Sequence, residues 1–458
     1  RIQTIVKSYK KKYANRVLLL DAGDLFHGTT FANLSKGANV AKIVDSMEYD
    51  AVAVGNHDIN FGVERLRELD TMMENTTILS ANLKMKDGST PFTPYIIKEI
   101  GYKGKIKVGI FGISTPETMF KASPEYVKDL VFEDPVETAK KMVDELRGKV
   151  NYIICLSHLG VNHSYEWTSI DIAKNVRGID LIVDGHSHTI LEEGLFIMGT
   201  PIVQAGYSDK YLGVVKVHLG KNGAEEDCSL ISMSDAASYN ENSYILETAE
   251  ALEEANKQVT TQVIGYTPED LDGERIHVRT GKTNLGTLIA DSMRIESGAD
   301  LSLINGGGIR DSIKAGNITK GQILQVLPFG NTLRVTEVSG KIIKETLEHG
   351  VMNLPQPAGR YPHVSGVTFD VDIEQAVGQR ISNIKIDGQA IDMEKIYKLA
   401  TIDFLILGGD EYSMLNKGKV IKELGTIDEV FASYLKNKNS NNFSEHKNLN
   451  AEVQEIAQ

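Results

Sequence analysis

From residue 17 to about residue 204, short apolar runs alternate with segments of helical periodicity. The runs are Val17–Leu20, Ala51–Val54, Lys107–Ile113, Tyr152–Leu156, Leu181–Val183 and Pro201–Gln204. Several are apolar throughout rather than at alternate positions, which suits strands covered on both faces. Val63–Met73 and Pro135–Leu146 lie between runs and repeat their apolar residues at helical spacing. This pattern predicts an α/β layered domain over residues 1–235. The chain opens at Arg1 in an amphipathic helical pattern.

The pattern changes after residue 235. Residues 241–262 are charged and lack Gly and Pro, so one long helix is expected there, within a linker spanning 236–262. A second α/β or α+β domain is expected over 263–437. The segment 438–458 reads as a polar tail, and its Asn/Ser-rich start is expected to be a loop.

Composition narrows the functional classes. A chain of 458 residues is too long for one core, so two or three domains are expected. The balance of 49 Lys plus Arg against 62 Asp plus Glu leaves a net charge of −13. Such a chain is no general binder of nucleic acid polymers, because polyphosphate binding is driven by basic charge. Any phosphate chemistry must therefore use a few local cations or metals. No run reaches the roughly 18 apolar residues of a transmembrane helix. Cys155 lies in an apolar run and reads as a buried thiol; a pairing with Cys228 is left open. No initiator Met and no signal peptide are visible, so a processed or trimmed chain is expected. Nothing in the sequence sets the oligomeric state.

Four apolar runs end in metal-capable residues. Val17–Leu20 leads into Asp21-Ala22-Gly23-Asp24, and Ala51–Val54 into Gly55-Asn56-His57-Asp58. Tyr152–Leu156 leads into Ser157-His158-Leu159-Gly160, and Leu181–Val183 into Asp184-Gly185-His186-Ser187-His188. Ligands at the carboxyl ends of strands converge at one edge of a sheet. One such Asp or His is usually a polar cap; four in order, the last with His-x-His, indicate a metal site. The set of carboxylate, amide oxygen and imidazole suits Zn, Mn, Co or Ni better than Ca. A carboxylate bridging two such ions holds them about 3.5–4 Å apart.

These motifs resemble those of the calcineurin-like metallophosphoesterases, and the stretch from Gly23 to Thr29 resembles the 5'-nucleotidase branch. The resemblance extends to about Leu435. It implies a four-layer α/β/β/α metallophosphoesterase domain, a linker helix and a substrate-binding domain. It implies two divalent metal ions, Zn or Mn first among the transition metals. Asp24 would bridge the ions; Asn56, His158 and His186 would complete one site, and His188 would serve the other. His57 would act as general acid or stabilise transition-state charge.

Two departures stand out. Arg1–Arg16 contains neither His nor Asp, so the family's opening Asp-x-His is missing. An upstream strand in the natural protein is the preferred explanation, and a single-metal site the other. The family also often carries Asp where this chain has Asn60, to orient the catalytic His. An amide could still hold the His57 tautomer, but without charge.

The second domain holds the expected substrate-binding residues. Arg275, Arg279 and Arg310 can grip phosphate in fork geometry. Alone, Arg275 and Arg279 would read as solvated charges, and Gly306-Gly307-Gly308 as a plain turn. Phe329 and Phe404 would each read as core; the resemblance makes them a pair of rings around the nucleobase. It makes Asp410 an acceptor for the ribose hydroxyls, with Asn305 and Asn331 beside the base or phosphate.

The expected activity is metal-dependent hydrolysis of nucleotide phosphate esters to nucleoside and phosphate, with nucleoside di- and triphosphates or UDP-sugars as further substrates. By resemblance the location is extracellular, periplasmic or at a bacterial cell surface. Asn60 keeps open a 2',3'-cyclic nucleotide phosphodiesterase with 3'-nucleotidase activity. The missing Asp-x-His keeps open a catalytically impaired nucleotide-binding surface protein. A thiosulfohydrolase-type relative is the third alternative, which the paired Phe residues disfavour.

Overall fold

The computed structural model describes residues 1–14, 16–101, 105–122, 124–162, 165–220 and 223–440. The chain divides into two compact units inside the helix Ser243–Thr260. The first holds Arg1–His27 and Phe31–Ala255, the second Gly28–Thr30 and the chain from Asn256 onward.

Two sheets organise the first unit. One is parallel and three-stranded, in the order Leu20–Asp21, Ala51–Ala53, Thr77–Leu79. The other has six strands, in the order Leu195–Ile197, Thr200–Val203, Leu181–Val183, Tyr152–His158, Ile106–Ser114 and Tyr95–Ile100. Three apolar layers surround them. Ala51, Ala53 and Leu79 meet Ile110, Ile154 and Leu156 between the sheets. Val52 and Ile78 face the opposite way, onto Val44 and Leu66 of the helices Ala38–Ser46 and Val63–Met72. Phe111, Ile153 and Ile182 face Val143 and Ile172 of the helices Pro135–Leu146 and Ser169–Asn175. Alternate residues of one strand thus enter different cores, which explains the continuous apolar runs. The result is the α/β/β/α layering.

The first strand is shorter than the run Val17–Leu20 suggests. Only Leu20 and Asp21 pair with the neighbouring strand. At Leu19 the side chain of Asp50 accepts the backbone N–H at 2.9 Å, in place of a ladder carbonyl. The hairpin of Tyr211–Gly220 with Gly223–Ser232 has no counterpart in the apolar pattern, because its residues are half-buried or exposed on both faces. Cys155 and Cys228 are free thiols.

The second unit is built on a five-stranded mixed sheet, in the order Pro362–Ser365, Leu301–Asn305, Ile396–Ile402, Thr332–Ser339 and Lys419–Thr426. Leu301–Asn305 and Ile396–Ile402 are parallel neighbours. Their carboxyl ends therefore bring Asn305 and the chain after Ile402 to one edge. The helix Ile427–Ser440 extends into the stretch expected as a loop, and 441–458 lie outside the described residues. Among the described residues, no helix is long and apolar enough to cross a membrane.

Candidate functional site

In the first unit, two turns meet backbone to backbone. Gly23 has a left-handed φ of 90°, and a Cβ there would lie 2.6 Å from the Gly55 nitrogen. Only glycine permits this approach. Asp58 holds the turns together. Its Oδ2 accepts the N–H groups of Asp24 and Gly55, each at 2.8 Å. Its Oδ1 accepts those of Leu25 at 2.8 Å and Phe26 at 2.9 Å. Burial and the nearby Asp24 charge raise the Asp58 carboxyl to about 6. In return, the His57 N–H donates to Asp24 Oδ1 at 2.7 Å.

His158 ends the strand Tyr152–His158. Its Nδ1 donates to the Ala22 carbonyl at 2.5 Å, and its Nε2 lies 3.2 Å from Asp24 Oδ2. Burial opposes charge on this imidazole, but Asp24 outweighs it and raises the group to about 9. Despite burial, the charges of His158 and His57 hold Asp24 well below the carboxylate range. Asp24 and His158 thus stabilise each other's charge as an ion pair.

His186 completes the cluster. Ligand-capable atoms of Asp24, His158 and His186 all lie within 4.8 Å of one another. Burial lowers the His186 pKa and so favours the neutral form that binds metals. Its Nε2 meets Glu117 Oε2 at 3.0 Å, which leaves Nδ1 for a ligand role. Asn56 Oδ1 is buried with no hydrogen-bond partner among the described residues. An orphaned amide oxygen next to His57 in the chain, two imidazoles and a carboxylate fit a divalent transition metal.

The other expected residues are placed as follows. Asn60 Nδ2 lies 3.0 Å from His57 Nδ1 and 3.3 Å from His27 Nδ1. An amide N–H donated to His57 Nδ1 puts that ring's proton on Nε2. His188 is not part of the three-residue group; its ring stacks on Tyr207 at 5.2 Å. Asp184 pins a turn, as Asp58 does, by accepting the N–H of Gly160 at 3.1 Å.

Glu117 is a residue that sequence reasoning passes over. It lies three residues beyond the strand Ile106–Ser114, whose end carries no immediate ligand. The same rule of strand ends finds it once the turn Thr115-Pro116 is allowed for.

In the second unit, Arg275 opens the short helix Arg275–Val278 and Arg279 follows it. Arg310 lies over the face of Phe329, 5.6 Å from the ring centroid. Phe404 is 9% exposed and packs in the domain core, and Gly409 lies flat against its ring. Asn305 sits beneath the glycine run and donates from Nδ2 to Asp410 Oδ2 at 2.6 Å. Asn331 uses its carbonyl to accept the N–H of Ile427 at 2.8 Å.

Comparison with known proteins agrees with both halves. Residues 1–189 match the calcineurin-like phosphoesterase family and residues 263–417 the 5'-nucleotidase C-terminal domain. The chain is 34% identical to the trifunctional nucleotide phosphoesterase protein YfkN of Bacillus subtilis over 92% of its length, and spans 32% of that protein. It is 33% identical to the 5'-nucleotidase of Bos taurus, covering 92% of this chain and 79% of the relative. The crystal structure of a 5'-nucleotidase precursor from Thermus thermophilus superposes with a TM-score of 0.81 at 30% identity, over 95% of this chain and 90% of that one. The chain is a hydrolase fold of two matched domains, and it belongs to the 5'-nucleotidase family.

Proposed function

We propose that the chain hydrolyses nucleotide phosphate esters to nucleoside and phosphate, outside the cytoplasm or at a cell surface. The observation that carries this reading is the Asp24, His158 and His186 group, in which His158 is buried and Asp24 and His186 are half-buried. Asp24, Asn56, His158 and His186 would hold one divalent ion, Zn or Mn first; Asp24 and His188 would contribute to a second. When bound, such ions supply Lewis-acid charge at the phosphoryl oxygens and acidify water.

The protein's own residues do the rest. His158 Nδ1–H, fixed on the Ala22 carbonyl, keeps Nε2 available as a ligand. His57 Nε2–H, set by Asn60, donates toward the leaving oxygen or a phosphoryl oxygen. Arg275, Arg279 and Arg310 neutralise phosphate charge. Phe329 and Phe404 provide apolar contact for the base, and Asp410 accepts the ribose hydroxyls.

The test is phosphate release from AMP, ADP, ATP, a UDP-sugar and 2',3'-cyclic AMP, with Mn and with Zn. Preferential release from 5'-nucleotides supports the proposal; no release from any nucleotide overturns it. Asn60 beside His57 favours a second reading, in which 2',3'-cyclic AMP is the best substrate.

A further inference from the structure

Asp410 and Glu411 are consecutive non-glycine residues with left-handed φ angles of 49° and 64°. Side chains with a Cβ rarely adopt this conformation, and it persists where the surroundings impose it. Here three separate segments impose it. From the strand Leu301–Asn305, Asn305 Nδ2 donates to Asp410 Oδ2 at 2.6 Å. From the helix Gly340–Val351, His349 Nε2 donates to the Asp410 carbonyl at 2.8 Å. From the segment before Pro362, the Arg360 guanidinium forms an ion pair with the Glu411 carboxylate.

Arg360 is itself anchored. The Tyr412 hydroxyl donates to its carbonyl at 2.5 Å, and the Tyr412 ring meets His349 edge-on at 4.7 Å. The Arg360 side chain is 17% exposed, so the ion pair is shielded on the arginine side. Gly359 brings the backbone alongside the carboxylate; a Cβ there would lie 3.2 Å from Asp410 Oδ2.

We propose that Arg360 is a positioning residue: its ion pair with Glu411, together with His349, locks the Asp410–Glu411 turn so that the enzyme selects nucleotides by their ribose hydroxyls. The proposal rests on the assignment of Asp410 as the ribose acceptor. Arg360 acts through backbone geometry. Its loss therefore weakens recognition of the sugar and leaves phosphoryl chemistry intact.

The experiment measures kcat and KM with AMP, 2',3'-dideoxy-AMP and p-nitrophenyl phosphate, for the wild type, Arg360→Ala, Arg360→Lys and Glu411→Gln. Losing one hydrogen bond between Asp410 and the sugar should raise the Arg360→Ala KM for AMP about tenfold at nearly constant kcat. The other two substrates should be unaffected. Arg360→Lys should recover part of the loss, and Glu411→Gln should resemble Arg360→Ala. Equal effects on all three substrates, or on none, overturn the proposal. If Arg360→Ala fails to fold, as a melting curve would show, Glu411→Gln and Arg360→Lys decide by the same criteria. A wild type that hydrolyses AMP and dideoxy-AMP alike removes the ribose role of Asp410, and the proposal with it. A wild type inactive on all nucleotides removes the functional reading itself.

Discussion

Glu117 Oε2 lies 3.0 Å from His186 Nε2, and the two side chains are only 7% and 8% exposed. A carboxylate on the far nitrogen fixes the ring's tautomer and orientation and raises its basicity as a ligand. Glu117→Gln should lower divalent metal affinity by about 10- to 100-fold, as such partners do elsewhere. Isothermal titration with Mn or Zn measures this directly. Unchanged affinity would make Glu117 a packing residue.

Asp58 should be a determinant of stability. It accepts the backbone N–H groups of Asp24, Leu25, Phe26 and Gly55, and it is 3% exposed. Asn offers only one acceptor oxygen and no charge, so two of those donors lose their partner. Asp58→Asn should cost about 3 kcal/mol of stability, and metal affinity should fall with it. Denaturant titration of the metal-free protein checks the first figure.

His363 should make the second domain acid-sensitive. Its Nε2 donates to the Val278 carbonyl at 2.9 Å, while its Nδ1 is buried with no partner among the described residues. Gly286 packs so closely that a Cβ there would lie 2.1 Å from Nδ1. Burial, and to a lesser extent Lys282, lower the pKa from 6.5 to about 4. Between these values the unfolded chain takes up a proton that the folded chain refuses. Stability is therefore complete above pH 6.5 and falls as the pH drops toward 4, by about 3 kcal/mol. His363→Gln keeps an N–H donor without a titrating group, so its stability profile over that window should be flatter. An equally steep profile would assign the acid sensitivity to other groups.

Phe329 separates base recognition from chemistry. Phe329→Ala should weaken nucleotide binding by about 1–3 kcal/mol, the range for loss of one stacked ring. Hydrolysis of a small aryl phosphate should change little. Equal losses for both substrates would place Phe329 in the core alone.

The strand-end residues were readable because a parallel sheet turns sequence order into spatial convergence. His158 ends and His186 follows neighbouring strands of the six-stranded sheet, Asp24 follows a strand of the three-stranded one, and the carboxyl ends of these strands meet. Glu117 was harder to see, since Ser114, Thr115 and Pro116 separate it from the apolar part of its strand. The role of Asp58 was hidden for a different reason: an acid that binds backbone N–H groups looks, in sequence, like an acid that binds metal. Its partners lie 32, 33 and 34 positions before it or three positions before it. In the second domain, Arg360 and His349 act on Asp410 from distant segments, and no local spacing marks them. The paired strands Tyr211–Gly220 and Gly223–Ser232 leave no mark in the sequence because neither face is deeply buried, so no apolar alternation records them.

The most direct measurement is anomalous diffraction at the Mn or Zn edge from crystals soaked in that metal. The account predicts a peak within coordination distance of Asp24, Asn56 Oδ1, His158 Nε2 and His186 Nδ1. A metal-loaded, active crystal with no peak among those four atoms would contradict it.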